Sequence, residues 1–401
     1  MARSKSRFEP TLHQVFIVCL VGLSVHFAGL GWILFSGVLG HLDSTHTRVL
    51  LIAAFIVAFV AIVAWLTLHT VHRELGRIVE DAERMRQFNF EAAPAGERFI
   101  IADFRDVRDS LEQGKMAIRA MRKYVPVTLM RQLYHEQKEV KLGAEPLEIS
   151  MLFSDIRDFT TVSENLSGSE LARALGLYLD AMARSIDAHQ GTIDKYIGDS
   201  VMAFWNAPLP IENDARRACL AALHSVRACD QLFSSPEWGG LPRWATRYGI
   251  HRDRVMVGNF GAPDRLNYTA MGDGVNTASR LEGLNKAYGT WIMVSETIRD
   301  AVADEFVFRK LDVVAVKGKT KPTAVFELLG ETATTTKPEH AHVYEKAFDS
   351  YLAGDFTKAV DLLRPQRDHD APSSTLFQRC IDFQKVPPPA NWNGVFVSHT
   401  K

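Results

Sequence analysis

Two aspartates in the 401-residue chain stand where an apolar run ends or turns: Asp155 in FSDIRDFT and Asp199 in KYIGDSVMAFW. A carboxylate in such a place is costly to desolvate unless something compensates it. Two of them brought together by a hairpin suit hard divalent cations. A pair of metals about 3.5–4 Å apart can activate an attacking oxygen and neutralise phosphate charge at once. The alternative is that each aspartate only caps its turn, the usual role of an isolated Asp in a loop.

The surrounding pattern says which elements must position them. EISMLFSDI, from Glu148, reads as a buried strand ending near Asp155. Ser167 to Glu170 is an S-x-x-E capping box, and it opens a helix carrying Leu171, Leu175, Tyr178, Met182 and Ile186 on one face. Gly191 ends that helix, and TIDKYI, Gly198-Asp199 and VMAFW follow as strand, turn and strand. Asn213 to Phe233 reads as a second helix, WATRYGIH and RVMVGNF as a hairpin, and Asp273 to Ala287 as a third helix. Strands and helices mix without regular alternation, which predicts an α+β fold with a largely antiparallel sheet.

The strings FSDIRDFT, DKYIGDSVMAFW, VGNFGAPDRLNYTAMGDGVNTASRLE and VKGKT follow in this order between Glu148 and Leu329. Together they closely resemble the catalytic domain of class III nucleotide cyclases, and four separate motifs are far more specific than any one. The resemblance implies a ferredoxin-like fold that converts ATP to 3′,5′-cyclic AMP and pyrophosphate. It also implies two divalent cations per site, Mg2+ or Mn2+, as cofactors and a parallel homodimer as the working form.

Carried over position by position, the resemblance makes Asp155 and Asp199 the metal-binding aspartates, with the Ile156 carbonyl assisting. Lys195 matches the lysine that reads the adenine edge, and Thr269 its partner position. Asn276 matches the residue that orients the ribose, Arg280 the one that stabilises the transition state at the α-phosphate, and Lys317 the one that binds terminal phosphates. Phe159 and Thr160 are expected on the substrate as well. A lysine donor and a threonine hydroxyl can satisfy adenine N1 and N6, whereas guanine presents the opposite pattern and would leave buried groups unpaired. In the family, the ribose 3′-oxygen attacks the α-phosphorus in line, and no side chain is needed as a dedicated base.

The family also splits its site between subunits: the metal aspartates come from one, and the residues matched by Lys195, Thr269, Asn276 and Arg280 from the other. One chain alone therefore cannot complete a site. Two departures stand outside the catalytic set. Asp158 replaces a common glycine, and Arg252 and Asp253 follow His251 where relatives usually have glycine; altered loop geometry is the expected result. GKT at Gly318 to Thr320 lacks the upstream glycine of a Walker A loop, and Gly272 and Gly274 form no dinucleotide fingerprint.

The N-terminal part is different in kind. Val15 to Gly40 and Val49 to Leu68 carry no Lys, Arg, Asp or Glu, and each is long enough to cross a hydrocarbon core of about 30 Å. Arg3, Lys5 and Arg7 precede the first run and Arg73 and Arg77 follow the second, so a helical hairpin in the inner cell membrane with both termini cytoplasmic is expected. An immediate second span argues against a cleaved signal peptide. His26, inside the first span, reads as a neutral imidazole hydrogen-bonded across a helix dimer, with haem or metal ligation as the alternative.

Val71, Leu75, Ile78, Ala82 and Met85, then Phe104, Val107, Leu111, Gly114, Ile118 and Met121, are spaced as two coiled-coil seams. RQFNFEAAPAGERFIIA, with Pro94 and Gly96, separates them. This resembles a HAMP relay, although the usual proline of its first helix is missing; a plain dimeric coiled coil is the alternative.

The C-terminal HVYEKAFDSYLAGDFTKAVDLLRPQ suits two short helices around Gly354 and resembles one tetratricopeptide-like pair. A single pair cannot bury its own face, so it is expected to pack on the catalytic domain, with a protein partner as the alternative. The expected organisation is residues 1–12 cytoplasmic, 13–40 first span, 41–48 external loop, 49–69 second span, 70–123 relay, 124–147 linker, 148–330 catalytic domain and 331–401 linker and tail.

A net charge of −1 gives no general attraction to nucleic acid, which is not expected as a partner. Cys19, Cys219, Cys229 and Cys380 are too scattered for a zinc site or a disulfide framework. Two other functions compete: a non-catalytic signalling module that keeps the fold, which has no physical need for paired carboxylates, and a guanylate cyclase, which Lys195 opposes.

Overall fold

A strand that begins at Gly143, before the charged stretch ends, organises most of the chain, and later elements are added at its edges and faces. The computed structural model describes residues 12–35, 45–91, 99–121, 124–125, 129–130, 141–315, 322–389 and 392–397. The chain divides into two units, residues 1–125 and 126–401.

The first unit holds α1 (Leu12–Phe35), α2 (Thr45–Arg86) and α3 (Ala102–Met121). Among the described residues, one helical stretch, Leu51–Arg86, is long and apolar enough to cross a membrane, and a shorter apolar stretch, Val21–Trp32, lies in α1. His26 stacks on the rings of Phe55 and Phe59, with centroids 4.9 and 4.4 Å away, so its contact within the chain is aromatic. Helix α2 runs from the apolar stretch into a polar one without a break and packs on α3. Lys115 of α3, 1% exposed, pairs with Asp81 and with Glu112 at 2.8 Å. The buried Glu74 accepts the amides of Ile100 and Ile101 at 2.7 and 3.2 Å. Phe99 and Ile101 are buried beside it. Pro94 and Gly96 lie outside the described residues.

In the second unit, β1 (Gly143–Ile156) leads through α4 (Phe159–Glu164) and α5 (Gly168–Ala188) to β2 (Thr192–Ile197) and β3 (Ser200–Trp205). Then α6 (Asp214–Phe233) leads to β4 (Thr246–Ala262). These strands pair in the order β2-β3-β1-β4, all antiparallel, which is the ferredoxin-like β-α-β-β-α-β arrangement. Next come β5 (Arg265–Met271), α7 (Asp273–Tyr288), β6 (Ile292–Ser295), α8 (Glu296–Ala301), β7 (Phe306–Ala315) and β8 (Thr323–Glu331). The sheet continues from β4 through β6, β8 and β7 to β9 (Phe396–Val397), while β5 pairs with β4.

One face of the sheet buries Leu152, Ile156, Val201, Trp205, Tyr248 and Ile250 against Tyr178, Met182 and Ile186 of α5 and the alanine-rich face of α6. The opposite face packs Ile149, Met151, Val255 and Val257 on Ala278 of α7. At Gly249 the helix comes so close that a Cβ would lie 2.1 Å from the Glu282 nitrogen and 2.3 Å from the Ala278 oxygen.

Helix α5 opens with the expected capping box, Ser167 and Glu170 each satisfying the other's backbone. Three expectations change. WATRYGIH and RVMVGNF are not the two arms of a hairpin but one continuous strand, β4, paired with β1 from Gly143 to Ile156; the turn comes later, between Ala262 and Arg265. Arg252 and Asp253 stay extended because Arg252 bridges to Asp214 at 3.0 Å and to Glu148 at 2.7 Å across the sheet. The strand also starts at Gly143, inside the expected linker, and Pro146 is tolerated there because β3 pairs only with Ser150–Ser154, which leaves one edge of β1 open at the proline.

The tail has α9 (Glu339–Leu352) and α10 (Phe356–Leu363) around Gly354, plus a helix the sequence reading missed, α11 (Ala371–Lys385). Its signals were present: Asp370 accepts the Ser373 amide as N-cap, and Pro372 stands in the first turn. Tyr344, Phe348, Leu363 and Phe377 of the tail share a core with Leu281, Leu284 and Tyr288 of α7 and with Leu311 and Val314 of β7.

Candidate active site

Asp155 is the penultimate residue of β1, and Asp199 sits in the tight turn between β2 and β3, where Gly198 takes the left-handed conformation at φ 67°. Pairing of β3 with β1 carries that turn to the end of β1. The Ile156 amide then donates to Asp199 Oδ2 at 3.0 Å, and the Ser200 hydroxyl donates to Asp155 Oδ1 at 2.8 Å. Burial, with the neighbouring Asp155 charge adding to it, raises the Asp199 carboxyl above the usual range, against the pull of the Ile156 amide. Two half-buried carboxylates side by side fit a divalent cation. No cluster of three or more His, Cys, Asp or Glu occurs among the described residues, so any cation here would need further ligands from substrate oxygens or water.

Two groups that the sequence reading did not single out lie beside Asp155. Arg247, on β4, is the register partner of Asp155 and is 8% exposed. Glu282, on α7, has one carboxyl oxygen buried without a hydrogen-bond partner. Burial first, and then the Asp155 charge, push its carboxyl up to about 7, while Arg247 opposes the shift.

A second group forms around β2 and β5. Lys195 donates to the Thr269 hydroxyl at 3.3 Å, so two residues matched from distant motifs are in contact. Asp194, also unforeseen, accepts a short hydrogen bond from Thr269 and lies 3.3 Å from the Lys195 ammonium. Burial raises its carboxyl, whereas Thr269, Lys195 and the Ala270 amide pull the other way. Asn276 and Arg280 stand one turn apart on α7, both exposed. Among the described residues, no hydrogen bond or ion pair joins Asp155 or Asp199 to Lys195, Thr269, Asn276 or Arg280.

Phe159, partly buried, sets its ring edge-on against Trp244, 5.9 Å between centroids, and Thr160 beside it is exposed. Lys317 lies outside the described residues. Asp158 occupies the left-handed region, at φ 55° and ψ 32°, which explains why a glycine suits this position.

Residues 144–329 match the family of the adenylate and guanylate cyclase catalytic domain. Adenylate cyclase 1 of Rhizobium meliloti (strain 1021) is 34% identical over 288 residues, covering 72% of this chain and 43% of that protein. The adenylate cyclase of Anabaena cylindrica is 34% identical over 228 residues, covering 55% of this chain and 44% of its own length. The chain thus spans less than half the length of these curated relatives. A solved bacterial light-regulated adenylyl cyclase shares the fold, with a TM-score of 0.50 and 22% identity over 57% of this chain and 65% of that one. Sheet order, motif positions and these likenesses agree at the level of the domain: residues 144–329 are a class III adenylate and guanylate cyclase catalytic domain.

Proposed function

We propose that the chain is a membrane-anchored adenylate cyclase that works as a parallel homodimer and converts ATP to 3′,5′-cyclic AMP and pyrophosphate. The observation that carries the substrate choice is the Lys195–Thr269 contact, which sets a donor beside a hydroxyl, the two groups that can serve adenine N1 and N6. The curated relatives named adenylate cyclases favour the same reading.

In this reading, Asp155 and Asp199, with the Ile156 carbonyl, hold two Mg2+ or Mn2+ ions. Those ions, when bound, polarise the ribose 3′-hydroxyl and neutralise phosphate charge. Asn276 orients the ribose, Arg280 takes up charge developing at the α-phosphate, and Lys317 holds the terminal phosphates. Phe159 and Thr160 line the triphosphate.

Among the described residues no hydrogen bond or ion pair joins either aspartate to Lys195, Thr269, Asn276 or Arg280, in keeping with a site shared between two subunits. Tyr196, Ile197, Met256 and Met271, large apolar side chains 40–53% exposed on the same domain, favour the same arrangement. The two apolar N-terminal segments then serve as a multi-pass anchor in the cell membrane. The ion-paired α2–α3 layer serves as a HAMP-like relay, and the tail as a tetratricopeptide-like brace.

The test is cyclic AMP formation by the purified full chain with Mg2+ or Mn2+, beside Asp155→Ala, Arg280→Ala and a mixture of the two variants. Activity in the wild type, none in either variant and recovery in the mixture support both the reaction and the shared site. No product from ATP or GTP under any metal condition would leave the signalling-module alternative.

A further inference from the structure

A threonine hydroxyl is an ambiguous reader of a base. It can accept from the exocyclic amine of adenine, and it can equally donate to the carbonyl oxygen of guanine. Whatever fixes its proton therefore decides which base it prefers.

The geometry around Thr269 fixes that proton. A lysine ammonium can only donate and an ionised carboxylate can only accept. With Lys195 at 3.3 Å on one side and the Asp194 carboxylate on the other, the hydroxyl accepts from Lys195 and donates to Asp194. Asp194 is well placed to hold it, because its side chain is 2% exposed and Thr269 itself is 3% exposed.

The arrangement depends on an irregularity in β2. Successive residues of a strand point to opposite faces, so Asp194 and Lys195 would not ordinarily reach one target. The register on β3 slips between Ile193 and Lys195, with Ile193 opposite Ala203 and Lys195 opposite Met202, so Asp194 is an extra residue in a β-bulge. A bulge re-aims side chains locally, and here both neighbours converge on Thr269.

We infer that Asp194 is a specificity-determining residue: by holding the Thr269 proton it leaves that hydroxyl as an acceptor, which selects the adenine amine and rejects the guanine carbonyl. The inference rests on the adenylate cyclase reading above and deepens it. Asp194 does not touch the base in this account; it acts through Thr269.

The test compares kcat/KM for ATP and GTP in the full chain, for the wild type, Asp194→Asn and the double variant Asp194→Asn/Thr269→Asp. An asparagine can present either end of its amide, so Asp194→Asn should lower the ATP-to-GTP ratio by about tenfold or more, mainly through the KM values. In the double variant, the asparagine amide donates to a carboxylate that is itself acceptor-only, so the preference for ATP should return.

Equal losses for both nucleotides in Asp194→Asn, or a double variant no more selective than the single one, would overturn the inference and leave Asp194 a purely structural support. If the wild type forms neither cyclic nucleotide, the adenylate cyclase reading fails by itself. The inference is then read from displacement of a fluorescent ATP analogue by ATP and by GTP, with the same expected order of ratios. An Asp194→Asn protein that retains the wild-type displacement ratio overturns it there as well.

Discussion

The Ile156 amide donates to the Asp199 carboxylate at 3.0 Å, which locks the β2–β3 turn against the end of β1. That one bond bridges 43 residues of chain between Ile156 and Asp199 and brings Asp199 beside Asp155. It also uses an acceptor site on Asp199, so the carboxylate is oriented before any cation arrives.

The near approach of β4 and α7 leaves no room for a side chain at Gly249. Gly249→Ala would drive a Cβ into the Glu282 nitrogen and Ala278 oxygen, which are backbone atoms unable to swing aside. A loss of about 3 kcal/mol or more is expected, measured by urea unfolding. Because α7 also carries Asn276 and Arg280, the surviving folded fraction should turn over about 100-fold more slowly for each ångström of displacement.

Glu282 gives a pH signature. Its folded carboxyl is raised to about 7 by burial. The sign follows from linkage: the stability associated with the protonated form is fully present below the unfolded value and lost as pH rises through about 7. Glu282→Gln, which never ionises, should therefore be more stable than wild type at pH 8 and about equal at pH 5. The gap should be of order 1 kcal/mol after allowance for partial exposure. Thermal melts in a chelating buffer across this range test it, and equal melting temperatures at both pH values would refute it.

Asp158 carries local strain. Its left-handed φ of 55° is accessible to Asp but unfavourable for residues with a plain β-carbon. Asp158→Ala should destabilise the domain by about 1 kcal/mol, while Asp158→Gly should be nearly neutral, relief of strain offsetting added freedom in the unfolded chain. Chemical denaturation midpoints of the two variants give the comparison.

Asp312 is fully buried and depends on its partners. Arg379 of α11 donates to it at 2.6 Å, and the Tyr288 hydroxyl donates to the same oxygen. Arg379→Ala should cost about 3–5 kcal/mol, because it strands a buried charge. Adding Asp312→Asn in that background should recover part of the loss. Differential scanning calorimetry of both variants checks it.

The sequence made the local chemistry legible and the long-range chemistry less so. Asp155, Asp199, Lys195 and Thr269 sit in strings whose flanking residues also set their strands and turns, so both motif and element could be read together. Asp194 was passed over because its partner Thr269 is 75 residues away and the bulge that aims it leaves no composition signal. Arg252 and Asp253 looked like a turn because they stand where relatives of this pattern usually have a glycine. Their extended geometry comes from Asp214 and Glu148, which only the folded sheet brings within reach. Helix α11 packs on the tail's own helical pair, with Phe383 against Tyr351 and Phe356, and also reaches β7 through Arg379; the sequence reading stopped at the first two helices.

Helix α7 has Asn276 and Arg280 on one side and Leu281, Leu284 and Tyr288 on the other, and the second side is covered by the tail. The segment matched by the family ends at residue 329, ahead of every tail helix. A fragment cut at that point would keep all of the matched site positions yet leave a wet, apolar back on the helix that carries two of them. The smallest piece of this protein expected to behave as a soluble catalytic body in isolation therefore extends to Lys385, well past the boundary that similarity alone would draw.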